Sequence, residues 1–291
     1  MTDFQAITKR NARSVQTTIG WIFWDPGAAL RYVSLGLPEN VATPLGYIAA
    51  RCAPLAPAGA TAVTAAFGSI SPLAIEAVFA ILDGPQQFLQ FWHARDAAVR
   101  EGLDRFAPAI AGLLSSIGPE LWDVVDQLPL EGRVLFGSIV DMDRPEDPIL
   151  SGWHAINALR EWRGDTHWAV LVAAGLSHAE ASILHNAWMD YEGDWLANSR
   201  GTSPEALAAG WDALTERGLA RGGVVTSDGR ALRQHIEDET DQLTTLPWEL
   251  LGEERSRWFA EEFEPPCALL LNRVDSTAGP NYQPASRVRP E

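Results

Sequence analysis

"GWDALTERGLARGGVVTSDGRALRQHIEDETD", residues 210–241, is the stretch that decides the fold. Its apolar residues keep helical spacing, and Gly218 stands where a helix would end. Gly222 to Thr226 then forms a short β-prone run, Ser227-Asp228-Gly229 reads as a turn, and a new helix begins at Arg230. Helices are expected just upstream, at about 178–189 and 204–217. A helix pair, a two-stranded wing and a further helix follow one another as in a winged helix-turn-helix.

Working outward, alanine and leucine dominate and apolar residues recur at steps of three and four. The predicted fold is therefore mainly α, in two helical halves, the second carrying the winged helix-turn-helix. Ser71-Pro72 opens a helix that Gly84 closes, a longer one runs from Gln86 to Phe106, and "GPELWDVVDQL" (118–128) gives a third. The acidic, proline-bearing segment from Pro129 to Pro148 is the expected boundary. These signals give an N-terminal helical domain at 15–140, a winged-helix-like domain at 146–265 and a polar, flexible tail at 272–291. An echo between residues 36–67 and 175–211 reads the first half as a degenerate helix-turn-helix repeat.

The charge balance bears on partners. Asp and Glu number 38 against 22 Lys and Arg, a formal net of −16, and Lys9 is the one lysine. Such a chain is repelled by phosphate-rich surfaces, which disfavours nucleic acid. The helix expected at 203–218 carries Glu205, Asp212 and Glu216 against Arg217 alone. Its first three turns lack the Arg, Lys, Asn or Gln that read bases. Two cysteines, no bilayer-length apolar run and no leader pattern at the start point to a soluble cytoplasmic protein.

Several segments also carry a resemblance. "ERGL" (216–219) before the wing and "TSDGRAL" (226–232) after it resemble the wing region of MarR-type regulators. More widely, "GYIAARCAPLAP" (46–57), "VTAAF" (63–67), "LREWRGDTHWAVLVAAGL" (159–176) and "TLPWELLG" (245–252) are similar to a group of actinobacterial MarR-like proteins of unsettled activity. The similarity spans about Trp21 to Phe263. It implies a winged-helix fold, a regulator's DNA contact and a homodimer. One departure is Ala28 in "WDPGAALRY" (24–32), where that group commonly has histidine, which puts that imidazole's role in doubt here.

Two places stand out as candidate sites. Arg51 is the sole charged residue in "LGYIAARCAPLAP" (45–57), so a buried guanidinium needs an anion, from Asp25, Glu161, Asp165 or a ligand. In "ALREWRGDTHWAVLV" (158–172), Gly164 is expected to end a helix begun at 149. Asp165 is then expected to N-cap a second helix at 166–174. His154, Asn157 and Glu161 form a polar stripe pointing at that turn. The expected ligand-binding residues are Tyr47, Arg51, Phe67, Trp153, His154, Asn157, Arg163 and Trp168.

The function expected from these residues is binding of a small organic, aromatic or anionic ligand where the two halves meet, with DNA contact weak or lost. One alternative is a MarR-like DNA-binding regulator. Another is an enzyme, biosynthetic in kind, that reuses the pocket with His167 as acid–base group and Glu161 or Asp165 orienting it. No metal or cofactor is expected. The six histidines form no HExxH or His-x-His, and no G-x-S-x-G or phosphate-cradling glycine loop occurs. Cys52 lies in an apolar run that disfavours its thiolate.

Overall fold

The computed structural model describes residues 2–278. The first half holds α1 (Phe4–Gly20), α2 (Pro26–Ser34), α3 (Glu39–Cys52), α4 (Ala60–Ala66), α5 (Pro72–Ile81), α6 (Pro85–Phe106), α7 (Pro108–Val125) and α8 (Val134–Val140). A central helix, α9 (Pro148–Ala173), leads to α10 (His178–Trp188), α11 (Trp195–Ser199) and α12 (Pro204–Glu216). Strands β1 (Ala220–Arg221) and β2 (Val224–Val225) form the wing, and α13 (Ser227–Leu243), α14 (Leu246–Leu251) and α15 (Glu253–Ala278) complete the chain. The fold is mainly α, and the second half is a winged helix-turn-helix.

Local chemistry sets most of the boundaries. Ser71, Asp147 and Ser203 each precede a proline at the first helical position and accept from backbone amides of the first turn. Ser177 and Glu180 form a reciprocal capping box at the start of α10. The wing is a two-residue hairpin through Gly222 and Gly223, at φ +57° and +75°, a turn that asks for left-handed backbone at both positions. The wing tip is therefore Gly222-Gly223, correcting the turn expected at 227–229. Thr226 instead caps α13, accepting from Gly229 N.

The central helix brings the largest correction. The expected break at Gly164 does not exist: α9 is continuous for 26 residues, about 39 Å at 1.5 Å per residue. Its first half is buried all round, including Trp153, His154, Asn157 and Glu161, and beyond Gly164 Val170 and Leu171 pack into a second cluster, so packing on both sides of the glycine along the helix outweighs its low helix propensity. Two buried clusters part along this helix rather than at 129–148. The larger takes α9 up to Trp162 with most of the first half, and the smaller joins Val170 and Leu171 to α10, α12, the wing and α13.

The C-terminal helix returns to the larger cluster. Phe259, Phe263, Cys267, Leu270 and Val274 recur at steps of three and four and are buried there. That stripe carries α15 through Pro265 and Pro266 to Ala278. The flexible tail expected from 272 is thus helix as far as 278, and residues 279–291 lie outside the described residues. No helix is long and apolar enough to cross a membrane among the described residues.

Candidate functional site

Between the two halves lies a cavity of about 1020 Å³ with α9 along its floor. Glu161, Gly164, Asp165 and Trp168 line it on the side facing the first half, and Arg163, His167 and Leu171 on the side facing α13. The first half contributes Phe23, Tyr47, Arg51 and Phe67. The winged half adds His185, Trp188, Trp195 and Arg233. Of the expected ligand residues, Tyr47, Arg51, Phe67, Arg163 and Trp168 meet at this cavity, and so do His167, Glu161 and Asp165.

Trp153, His154 and Asn157 do not line it. Trp153 is fully buried and donates its indole N–H to Thr18 O at 2.9 Å. His154 Nε2 lies 2.9 Å from Asp96 Oδ2, and Arg95, ion-paired to Asp96, stacks between Trp92 and Trp153. Burial alone would raise the Asp96 carboxyl, but Arg95 and His154 hold it below the usual range. This is a second buried polar network, about two turns nearer the start of α9 than Glu161 and on the same face. Helical periodicity placed the stripe correctly on one helix but could not say which neighbour it faces.

The Arg51 partner is Glu161. The guanidinium makes two bonds to it, at 3.1 and 2.6 Å, lies 4.7 Å above the Phe67 ring, and reaches Ser69 Oγ at 3.4 Å. Arg160 also bonds Glu161. Burial pushes the Glu161 carboxyl up, and the two arginines more than reverse that. Asp25 serves elsewhere, capping α2 and pairing with Arg273 at 2.8 Å.

Asp165 caps a helix, though not the one expected. Its carboxylate accepts from Phe136 N at 2.9 Å, in the first turn of α8. Burial still pushes its pKa up to about 6, against the amide hydrogen bonds and with Glu161 adding repulsion.

The wall facing α13 holds a charge network not foreseen from sequence. Arg163 pairs with Glu237 at 3.1 Å and Asp241 at 2.6 Å. Arg233 pairs with Glu237 and donates to His185 Nδ1 at 2.6 Å, which puts the His185 proton on Nε2. Thr240 gives its hydroxyl proton to Ile236 O at 2.6 Å, so it accepts from His167 Nδ1 at 2.9 Å and fixes that tautomer too. Burial drives His167 down to about 3 and His185 well below its ordinary value, with Arg233 adding to both. The available signal was the i, i+4, i+8 spacing of Arg233, Glu237 and Asp241, a pattern that more often marks a solvated helix face.

These shifts define a pH response. His167 and His185 are neutral when folded but take protons near pH 6.5 when unfolded, so stability falls as pH drops from 6.5 towards 3. Asp165 acts oppositely between about 6 and 3.8, where the folded state holds the extra proton. Melting between pH 7 and 4 is therefore expected to decline gently, and Asp165→Asn to steepen the decline. A parallel profile for Asp165→Asn would show that Asp165 is not perturbed.

A helix pair, α10 and α12, followed by a two-stranded wing and α13, defines the winged helix-turn-helix class. The comparison with known families agrees: the chain belongs to the helix-turn-helix family, which matches residues 8–276. No curated protein and no solved structure matches the chain. Among the described residues no three His, Cys, Asp or Glu side chains are grouped to hold a metal ion.

Proposed function

We propose that this helix-turn-helix protein binds a small organic ligand, aromatic or anionic, in the cavity between its halves, and that its DNA contact is weak or lost. The cavity carries the reading. It has the size of a small-molecule site, and aromatic side chains share its walls with many charged and polar ones. Its lining also holds eight Lys and Arg against five Asp and Glu, in a chain whose formal net charge is −16. A cationic pocket in an acidic protein concentrates anions there rather than at the surface. Saturable one-to-one binding is expected from a set of aromatic acids, amides and alcohols followed by tryptophan fluorescence. Complete silence up to millimolar concentration would sink the reading.

The second reading is a MarR-like DNA-binding regulator, for which the helix-turn-helix family supports the DNA-binding type of fold. The helix that would enter the major groove, α12, exposes Glu205, Asp212 and Glu216. Its neighbour Arg217 is occupied with the carbonyls of Ala174 and Gly175. Little is left to meet phosphate. Shift assays with random duplex at physiological salt are expected to give no complex. Nanomolar, sequence-selective, salt-sensitive binding to the gene's own upstream region would instead favour the regulator. The enzyme reading has less behind it, because an imidazole held near 3 is a weak base at neutral pH.

A further inference from the structure

The ligand reading leaves open which part of the cavity recognises charge. Two arginine clusters line it, and they differ in how completely they are satisfied. In the first, Glu161 sits between Arg51 and Arg160, and Arg51 has every neighbour it needs in Glu161, Ser69 and the Phe67 ring. In the second, Arg163 Nε, Arg233 Nη1 and His185 Nε2 are buried donors without a hydrogen-bond partner. Arg233 is 1% exposed, so its free Nη1 sits in the packed wall of the cavity, where an unmade hydrogen bond is costly. His185 Nε2 carries a proton for the reason given above, so all three are donors and none can satisfy another.

We infer that the Arg163–Arg233–His185 corner is the docking point for the oxyanion of a flat aromatic ligand, whose ring lies along Trp168, Phe67 and Tyr47. An oxyanion offers more acceptor sites than a carbonyl or hydroxyl and carries the charge that strengthens each bond, and arginine presents its donors in a fork that fits it. Glu237 and Asp241 balance the two arginines, so the unpaired donors and not a local excess of charge mark this corner. His185 and His167, both neutral, shape the corner without adding charge of their own. This assignment rests on the ligand-binding reading and locates the ligand's charge within it. A carboxylate and a phosphate ester share the required chemistry.

The test titrates the full-length protein with 2-naphthoate, 2-naphthyl phosphate and the neutral 2-naphthamide, using calorimetry and tryptophan fluorescence. At least one of the two anions is expected to bind tenfold or more tightly than the amide, and the tighter of them tells carboxylate from phosphate. Arg163→Gln and His185→Phe should each lose most of that preference and leave amide binding unchanged. Circular dichroism checks that both variants fold; if one does not, the other carries the comparison. Equal binding of anions and amide overturns the corner but leaves the cavity reading standing. A preference that survives in both folded variants and vanishes in Arg160→Gln overturns it by moving the anion to the first cluster. Absence of binding by all three probes overturns the ligand reading and the corner with it.

Discussion

Glu161→Leu is expected to lower the unfolding free energy by about 3–5 kcal/mol, the usual cost of leaving one member of a buried ion pair alone. The Glu161 side chain is 3% exposed and takes bonds from Arg51 and Arg160. Leucine would leave two guanidinium groups side by side, with no carboxylate hydrogen-bonded to Arg51. Arg51 would keep only Ser69 and the Phe67 face. The double variant Arg51→Met, Glu161→Leu is expected to recover much of the loss, because it removes a buried charge together with its partner. Urea unfolding at pH 7 measures both. A single variant within about 1 kcal/mol of the parent, the range of surface ion pairs, would show that the clamp does not tie α3 to α9.

Gly152→Ala is the second large effect, and its sign runs against helix propensity. Alanine is better than glycine inside a helix by about 1 kcal/mol. At Gly152, however, a Cβ would lie 2.2 Å from the backbone oxygen of Leu114, and the Cβ of a residue replacing Gly118 would lie 2.9 Å from Gly152 Cα. Helices α7 and α9 cross here backbone to backbone, and neither can shift without disturbing the larger core. A net loss of roughly 1–3 kcal/mol or more is expected, as for overpacked cores. Gly112→Ala, on an exposed side of α7 with nothing within 4 Å of its Cβ, is the control and is expected to stabilise. Denaturation showing both alanines stabilising would mean the helices are free to separate.

The two substitutions mark where sequence reading succeeds and where it stops. The Ser71-Pro72 pair marked a helix start, and the β-prone run at 222–226 fell on the wing, although its two glycines form the turn between the strands. Such signals act through hydrogen bonds a few residues long, so the chain around them is enough to read them. Arg51 likewise shows its need for an anion through its apolar neighbours, and Glu161 is one of the three carboxylates expected to meet it.

By itself, then, the sequence determined the mainly α class, the winged helix-turn-helix order and the acidic character of α12. Only the tertiary structure decided that α9 runs unbroken through Gly164, that His154 pairs with Asp96 and lies outside the cavity lining, and that Arg163 meets Glu237 and Asp241. The reason is range. Arg51 and Glu161 are 110 residues apart, and Arg163 and Asp241 are 78. Whether a charge on a helix faces water or a partner depends on what packs against that face. Burial then fixes its protonation, its strength and the space left for a ligand.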